Sequence, residues 1–92
     1  MRIVLTERFQ SDIRSLTPPE RERVFGAMLA LPRALGDVHA HAGLGLRKLH
    51  RSGIWEARVG LNLRLILTLI DGSMTFARAG THDEVKRFLR DL

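Results

Sequence analysis

Four residues in the second half of the chain, Lys48, Arg58, Arg64 and His82, have side chains and spacing suited to handling a phosphate. The two arginines are the informative pair. If Gly60-Leu61-Asn62 is the turn between two strands, Val59 pairs with Leu63, Arg58 with Arg64, Ala57 with Leu65, Glu56 with Ile66 and Trp55 with Leu67. Strand parity then places Trp55, Ala57, Val59, Leu63, Leu65 and Leu67 on a core face and Glu56, Arg58 and Arg64 on the opposite one. Two arginines directly opposite each other repel, and a fold keeps such a pair most readily when an anion sits between them. Neutralisation by Glu56 or Asp83 is the purely structural alternative. A three-residue turn at Arg51-Ser52-Gly53 sets Lys48 opposite Glu56; a slip of one residue exchanges Lys48 for Arg47.

His82 falls at the first turn of the closing helix, beside the arginine pair. Histidine exchanges a proton near neutral pH, although a histidine at a helix start also serves simple structural ends. Together these residues are a set of parts for cutting RNA without a metal. A base or orienting group activates the ribose 2′-hydroxyl, cations stabilise the crowded phosphate, and an acid protonates the leaving 5′-oxygen. The internal 2′-hydroxyl nucleophile explains a choice of RNA over DNA. Arg47, Arg51 and Arg78 are further candidates for RNA binding. A two-residue turn at Asp71-Gly72 sends Arg78 to the core side, where it must snorkel at the strand end.

Elements must hold these residues in place. Met1 to Leu5 is a short β-branched run that reads as a strand. Thr6 caps a helix in which Phe9, Ile13 and Leu16 form one stripe. Thr17-Pro18-Pro19-Glu20 is a capping box, with proline at the first helical position. Behind it Val24, Phe25, Met28 and Leu29 line a second helix that Pro32 ends, giving a helical hairpin. Residues 32–44 read as a loop. His39 and His41 there resemble a two-residue metal spacing, but with no cysteine and only Asp37 nearby, no metal or other cofactor is expected.

Beyond the loop the periodicity becomes alternating: Leu46 to His50, Ile54 to Val59, Asn62 to Ile70 and Ser73 to Ala79 read as four strands. Asp71-Gly72 is a strong hairpin signal. Thr81 caps a last helix, with Asp83 and Glu84 in its first turn and Val85, Phe88, Leu89 and Leu92 on its apolar face. The order is β-α-α-β-β-β-β-α, an α+β class in which a mostly antiparallel sheet packs on a helical hairpin. The other sheet face is open, or covered only in part by the last helix.

Length and composition bound the rest. With 92 residues and a hydrophobic fraction of 45%, the chain reads as one compact domain over 1–92. There is no cysteine, which removes disulfide scaffolds, thiol nucleophiles and thiolate metal sites. The net charge of +5 is uneven: residues 1–46 carry six basic and five acidic residues (+1), residues 47–92 nine and five (+4). A basic half points to a polyanion or an acidic protein partner. Thirteen of the 15 basic residues are arginine, which favours forked contacts to phosphate. No segment is long and apolar enough for a membrane span, and Arg2 and Glu7 interrupt the start too early for a signal peptide, so a cytoplasmic protein is expected.

GLRKLH, SGIWEARVG, NLRLILTL and AGTHDEVKRFL, between Gly45 and Leu92, resemble the phrases of the RelE/ParE superfamily, the toxins of bacterial type II toxin–antitoxin systems. The element order resembles that family over nearly the whole chain. The resemblance implies a ribosome-dependent mRNA endoribonuclease (an mRNA interferase) that inhibits translation. In the ParE branch it implies a non-catalytic inhibitor of DNA gyrase instead. It also implies a cognate antitoxin that wraps and neutralises the toxin. The family's ribonucleases commonly place a basic residue where Arg47 and Lys48 stand, arginines at the Arg58 and Arg64 positions, and histidine or a basic residue at His82. There are two departures. Many active members add a tyrosine near the closing segment, and this chain contains none. Some use a carboxylate base on the strand of Arg47 and Lys48; here Glu56, on the next strand, is the candidate. These gaps leave a degenerate toxin that only binds an antitoxin as a third reading.

Overall fold

A computed structural model of the chain describes residues 1–34, 45–49 and 53–91. The elements are β1 (Arg2–Leu5), α1 (Glu7–Arg14), α2 (Pro18–Ala34), β2 (Arg47–Lys48), β3 (Ile54–Val59), β4 (Leu63–Ile70), β5 (Ser73–Thr81) and α3 (His82–Arg90). The strands form one sheet in the order β1-β5-β4-β3-β2, antiparallel throughout except that β1 runs parallel to β5. This is the expected α+β order. The parallel pair exists because α1 and α2 carry the chain across one face before it re-enters the sheet at the far edge.

Turn chemistry fixes the central register. Asp71 (φ 47°) and Gly72 (φ 75°) both take the left-handed region that a two-residue type I′ turn demands, and Ile70 pairs with Ser73. Gly60 (φ 73°) does the same service in the three-residue turn that sets Val59 against Leu63 and Arg58 against Arg64, as the sequence predicts.

One face of the sheet carries Ala57, Val59, Leu63, Leu65, Leu67, Met74, Phe76 and Ala79, closed by Phe9 and Ile13 of α1 and by Val24, Ala27 and Leu31 of α2. The rings of Phe9 and Phe76 meet with centroids 5.4 Å apart, tilted by 33°. Both early helices start on the expected caps: the Phe9 N–H donates to the Thr6 hydroxyl, and Thr17 and Glu20 exchange the two bonds of a capping box.

The second helix differs from expectation in two ways. Pro32 lies inside it, since a proline in the last turn forfeits one bond without stopping the two residues that follow. Its buried stripe is Val24, Ala27, Leu31 and Ala34, so Phe25 (47% exposed) and Leu29 (78%) face outward. The small Ala27 and Ala34, which an apolarity count by size underrates, take the face against the sheet. β2 is shorter than expected, and β5 continues to Thr81.

The opposite sheet face is covered in part by α3, which packs on β4 and β5. Ile66 and Val85 are buried there, outside the main core. Among the described residues no helix is long and apolar enough to cross a membrane. The loop reading of residues 35–44, with His39 and His41, lies outside the described residues.

Candidate functional site

A cleft of about 120 Å³ opens on the α3 side of the sheet, lined by Gly45, Arg47, Glu56, Arg58, Arg64 and His82. Three strands and a helix line it, and register aligns them. Arg47 of β2 pairs with Glu56 of β3, Arg58 of β3 with Arg64 of β4, and Arg64 in turn with Gly80 of β5, two residues before His82 opens α3. Period-two alternation puts the Arg47, Glu56, Arg58 and Arg64 side chains on the face that α3 covers only in part.

Arg64 is the unusual member. Its residue is only 8% exposed, yet it forms no ion pair among the described residues. Its Nη1 donates to the carbonyls of Leu63 (3.0 Å) and Leu61 (3.4 Å), dipoles that offset the charge only in part. A buried cation without a counterion carries a desolvation cost that a bound anion removes. Opposite it, Arg58 is exposed and has no hydrogen-bond or ion-pair partner among the described residues. Gly45 lies against Arg58: at φ +59°, a Cβ on Gly45 would stand 2.8 Å from the Arg58 Cβ. Only glycine permits both the backbone conformation and the approach.

Glu56 is spoken for. Its carboxylate accepts from Arg47 Nη2 at 3.4 Å, with the Glu56 side chain 12% exposed and that of Arg47 68% exposed. Glu56 therefore pairs with its neighbour on β2 and leaves the Arg58–Arg64 pair uncompensated.

His82 is held by the helix it begins. Thr81 caps α3, with the Glu84 N–H donating to its hydroxyl (3.2 Å) and the Thr81 N–H donating to the Glu84 carboxylate (2.9 Å). The Thr81 N–H, then the Thr81 hydroxyl, hold the Glu84 carboxyl below its ordinary value. Gly80 makes room for this box, since a Cβ there would lie 3.2 Å from the Glu84 Cβ.

The structure thus brings together Arg47, Arg58, Arg64 and His82 of the sequence candidates, with Glu56, the candidate carboxylate, on the same cleft. Two placements are corrected. Lys48 is across from Trp55, with its Nζ 6.0 Å from the indole centroid, on the helix side of the sheet and outside the cleft. The cause is the hairpin: Leu49 N–H donates to the Ile54 carbonyl, so four residues rather than three separate the strands. Arg78 is not on the core side either. A bulge at Ala77 shifts the register between Leu67↔Phe76 and Ile66↔Arg78, which turns Arg78 to the α3 face. There its Nε donates to Asp12 at 2.8 Å and its guanidinium lies 5.1 Å from the Phe88 ring centroid. It is tied into the structure rather than free for a ligand. Arg51 lies outside the described residues. Among the described residues no group of three His, Asp or Glu side chains is placed to hold a metal ion.

No protein-family model matches this chain, and no curated protein matches it. Solved structures do. YafQ from E. coli strain BL21(DE3) superposes with a TM-score of 0.75 at 22% identity, over 92% of this chain and 98% of that one. The toxin–antitoxin complex of DinJ and YafQ from E. coli gives 0.73 at 23% identity, over 90% and 93%. The RelB-RelE antitoxin–toxin complex from Methanococcus jannaschii gives 0.70 at 15% identity, over 92% and 96%. From β1 through α3, the chain has the fold of the RelE and YafQ toxins.

Proposed function

We propose that this protein is the toxin of a type II toxin–antitoxin system, an endoribonuclease that cleaves mRNA on the ribosome and is neutralised by a cognate antitoxin. One observation carries the reading: a buried, uncompensated arginine faces a second free arginine across a small cleft whose rim holds a histidine. A phosphodiester is the anion that such a fork fits. The shared fold with structures named as toxin–antitoxin complexes supports an antitoxin as partner.

The chemistry follows from the groups present. Arg64 clamps the scissile phosphate and Arg58 adds charge as the phosphorane forms. Arg47 lines the cleft in the place expected of Lys48, and its exposed side chain can trade its bond to Glu56 for one to the phosphate. That exchange frees the Glu56 carboxylate to accept the 2′-hydroxyl proton. The 2′-oxygen bonds to phosphorus, the P–O5′ bond breaks, and His82 gives its proton to the 5′-oxygen. The products are a 2′,3′-cyclic phosphate and a 5′-hydroxyl, with the proton taken by Glu56 balancing the one lost from His82.

A cleft of this size can touch a phosphate and its two neighbours but read few bases. The ribosome must therefore present the message, and naked RNA is expected to be cut slowly and with little sequence preference. The test is translation of a defined mRNA in a purified system with the protein added, followed by mapping of 5′ ends. Cuts that disappear in Arg64→Ala and His82→Ala are the expected result. Intact message with accumulating gyrase–DNA complexes would overturn the reading and place the protein among gyrase inhibitors.

A further inference from the structure

Arg64 reaches the cleft in an unusual pose. Its side chain curls back toward the β3–β4 turn, so that one nitrogen, Nη1, donates to the carbonyls of Leu61 and Leu63. Nε and Nη2 make no hydrogen bond with any described residue. A guanidinium has five N–H donors in one plane, and its Nε and Nη2 together form an edge of two parallel donors spaced for two oxygens. Anchoring Nη1 therefore fixes that edge.

We propose that the 60–62 turn is a positioning device for Arg64, and that Arg64 grips the phosphate through its Nε–Nη2 edge because the Leu61 carbonyl of the turn and the Leu63 carbonyl at the start of β4 occupy Nη1. This rests on the nuclease reading above for the identity of the anion, but the anchoring itself does not. The direction of the Leu61 carbonyl is set by the backbone of the turn, and the turn depends on Gly60 at φ +73°. The nearest atom that a Cβ at Gly60 would meet is the Arg23 Cδ at 3.8 Å, so space is not the constraint there. The conformation is. Asparagine tolerates the left-handed region, whereas a β-branched residue does not. Leu61 itself is 92% exposed, so its side chain contributes little to the core and its main-chain oxygen is the part the structure uses.

The experiment compares Gly60→Asn with Gly60→Val in the full chain. The readouts are the guanidinium ¹⁵N signals of Arg64, thermal stability, and mRNA cleavage by the purified translation assay. In the wild type, the Arg64 guanidinium should rotate slowly, and its Nε signal should shift on adding a 2′-deoxy-substituted RNA hexamer that cannot be cut. Gly60→Asn should keep both properties and the activity. Gly60→Val should free the rotation and lower cleavage on the order of 10²-fold, the effect of a misplacement near 1 Å. Should Gly60→Val fail to fold, slow rotation in the wild type and in Gly60→Asn still decides the anchoring. Rotation in the wild type as fast as that of an exposed arginine, or an activity loss in Gly60→Val with the Arg64 signals unchanged, overturns the proposal. Slow rotation and an RNA-dependent shift without any cleavage would keep the positioning device while refuting the nuclease.

Discussion

Arg64 and Arg58 are both arginines, yet the fold holds them in different ways, and substitutions should separate the two. Arg64 holds two carbonyls with one nitrogen and, on the proposed reading, presents two more to the phosphate. A lysine ammonium is a point charge that cannot do both. Arg64→Lys is therefore expected to lose as much cleavage as Arg64→Ala, on the order of 10²–10³-fold, as for removal of one donor to a developing anion. Single-turnover rates on ribosome-bound message check this, and near-normal activity in Arg64→Lys would show that charge alone is needed. Arg58 is exposed, and what steadies it is the Gly45 backbone against its Cβ. Gly45→Ala forces a left-handed alanine into a 2.8 Å contact, with a strain of about 1–3 kcal/mol. It should shift Arg58 and lower activity without removing any of the cleft's charged side chains. Lys48→Ala, by contrast, removes a residue beside Trp55 and should leave the cleavage rate within about two-fold, the range of a surface substitution away from a site.

At the scale of elements, α3 delivers His82, and its start depends on one carboxylate. The Glu84 carboxyl is held low by the Thr81 N–H and hydroxyl, so its folded value lies below its unfolded one. A depressed carboxyl contributes stability above its unfolded value and loses it as pH falls through the folded one. The first turn of α3 should therefore loosen below about pH 4, the ordinary range of glutamate. Amide exchange at Thr81 and Glu84 against pH is the measurement, and Glu84→Gln should flatten the profile. Thr81→Ala should cost about 1 kcal/mol at neutral pH. The Thr81 cap is legible in the sequence, because a threonine followed by Asp83 and Glu84 in a first turn is a local signal, whereas the reciprocal bond from Glu84 is seen in the structure. Legible too are the central register and the Arg58–Arg64 pair, since glycines at 60 and 72 set short turns. Two things are not. The β2–β3 hairpin has no turn signal that fixes loop length, so Arg47 and Lys48 are exchangeable in the sequence, and the bond from Leu49 N–H to the Ile54 carbonyl decides between them. The bulge at Ala77 is held from outside the strand: the Thr6 hydroxyl donates to the Ala77 carbonyl across 71 residues. A contact of that range leaves only a faint local trace, the break in spacing from Met74 and Phe76 to Ala79.

For the whole molecule, the uneven charge can act in two ways. Either the basic second half attracts RNA as a diffuse field, or a few placed arginines do the binding. Salt dependence separates these, because each phosphate neutralised on a single strand contributes about −0.7 to the slope of log K against log salt. Residues 47–92 carry nine basic residues, so full engagement of that half gives about 9 × −0.7, roughly −6. The cleft offers three, Arg47, Arg58 and Arg64, for a slope of about −2. Burial and pairing favour the smaller number. Arg78 is bonded to Asp12, and Lys48 lies on the other face of the sheet. Titration of an uncleavable 2′-deoxy-substituted RNA between low and moderate salt should therefore give a slope near −2. Arg58→Ala should reduce it by about one phosphate's share, 0.7. A slope near −6 that is insensitive to Arg58→Ala would mean that the diffuse field binds RNA and that the cleft only positions it. With a shallow slope, the protein alone holds RNA weakly at cellular salt. On the proposed nuclease reading, the ribosome would then supply the message at high local concentration rather than merely orient it.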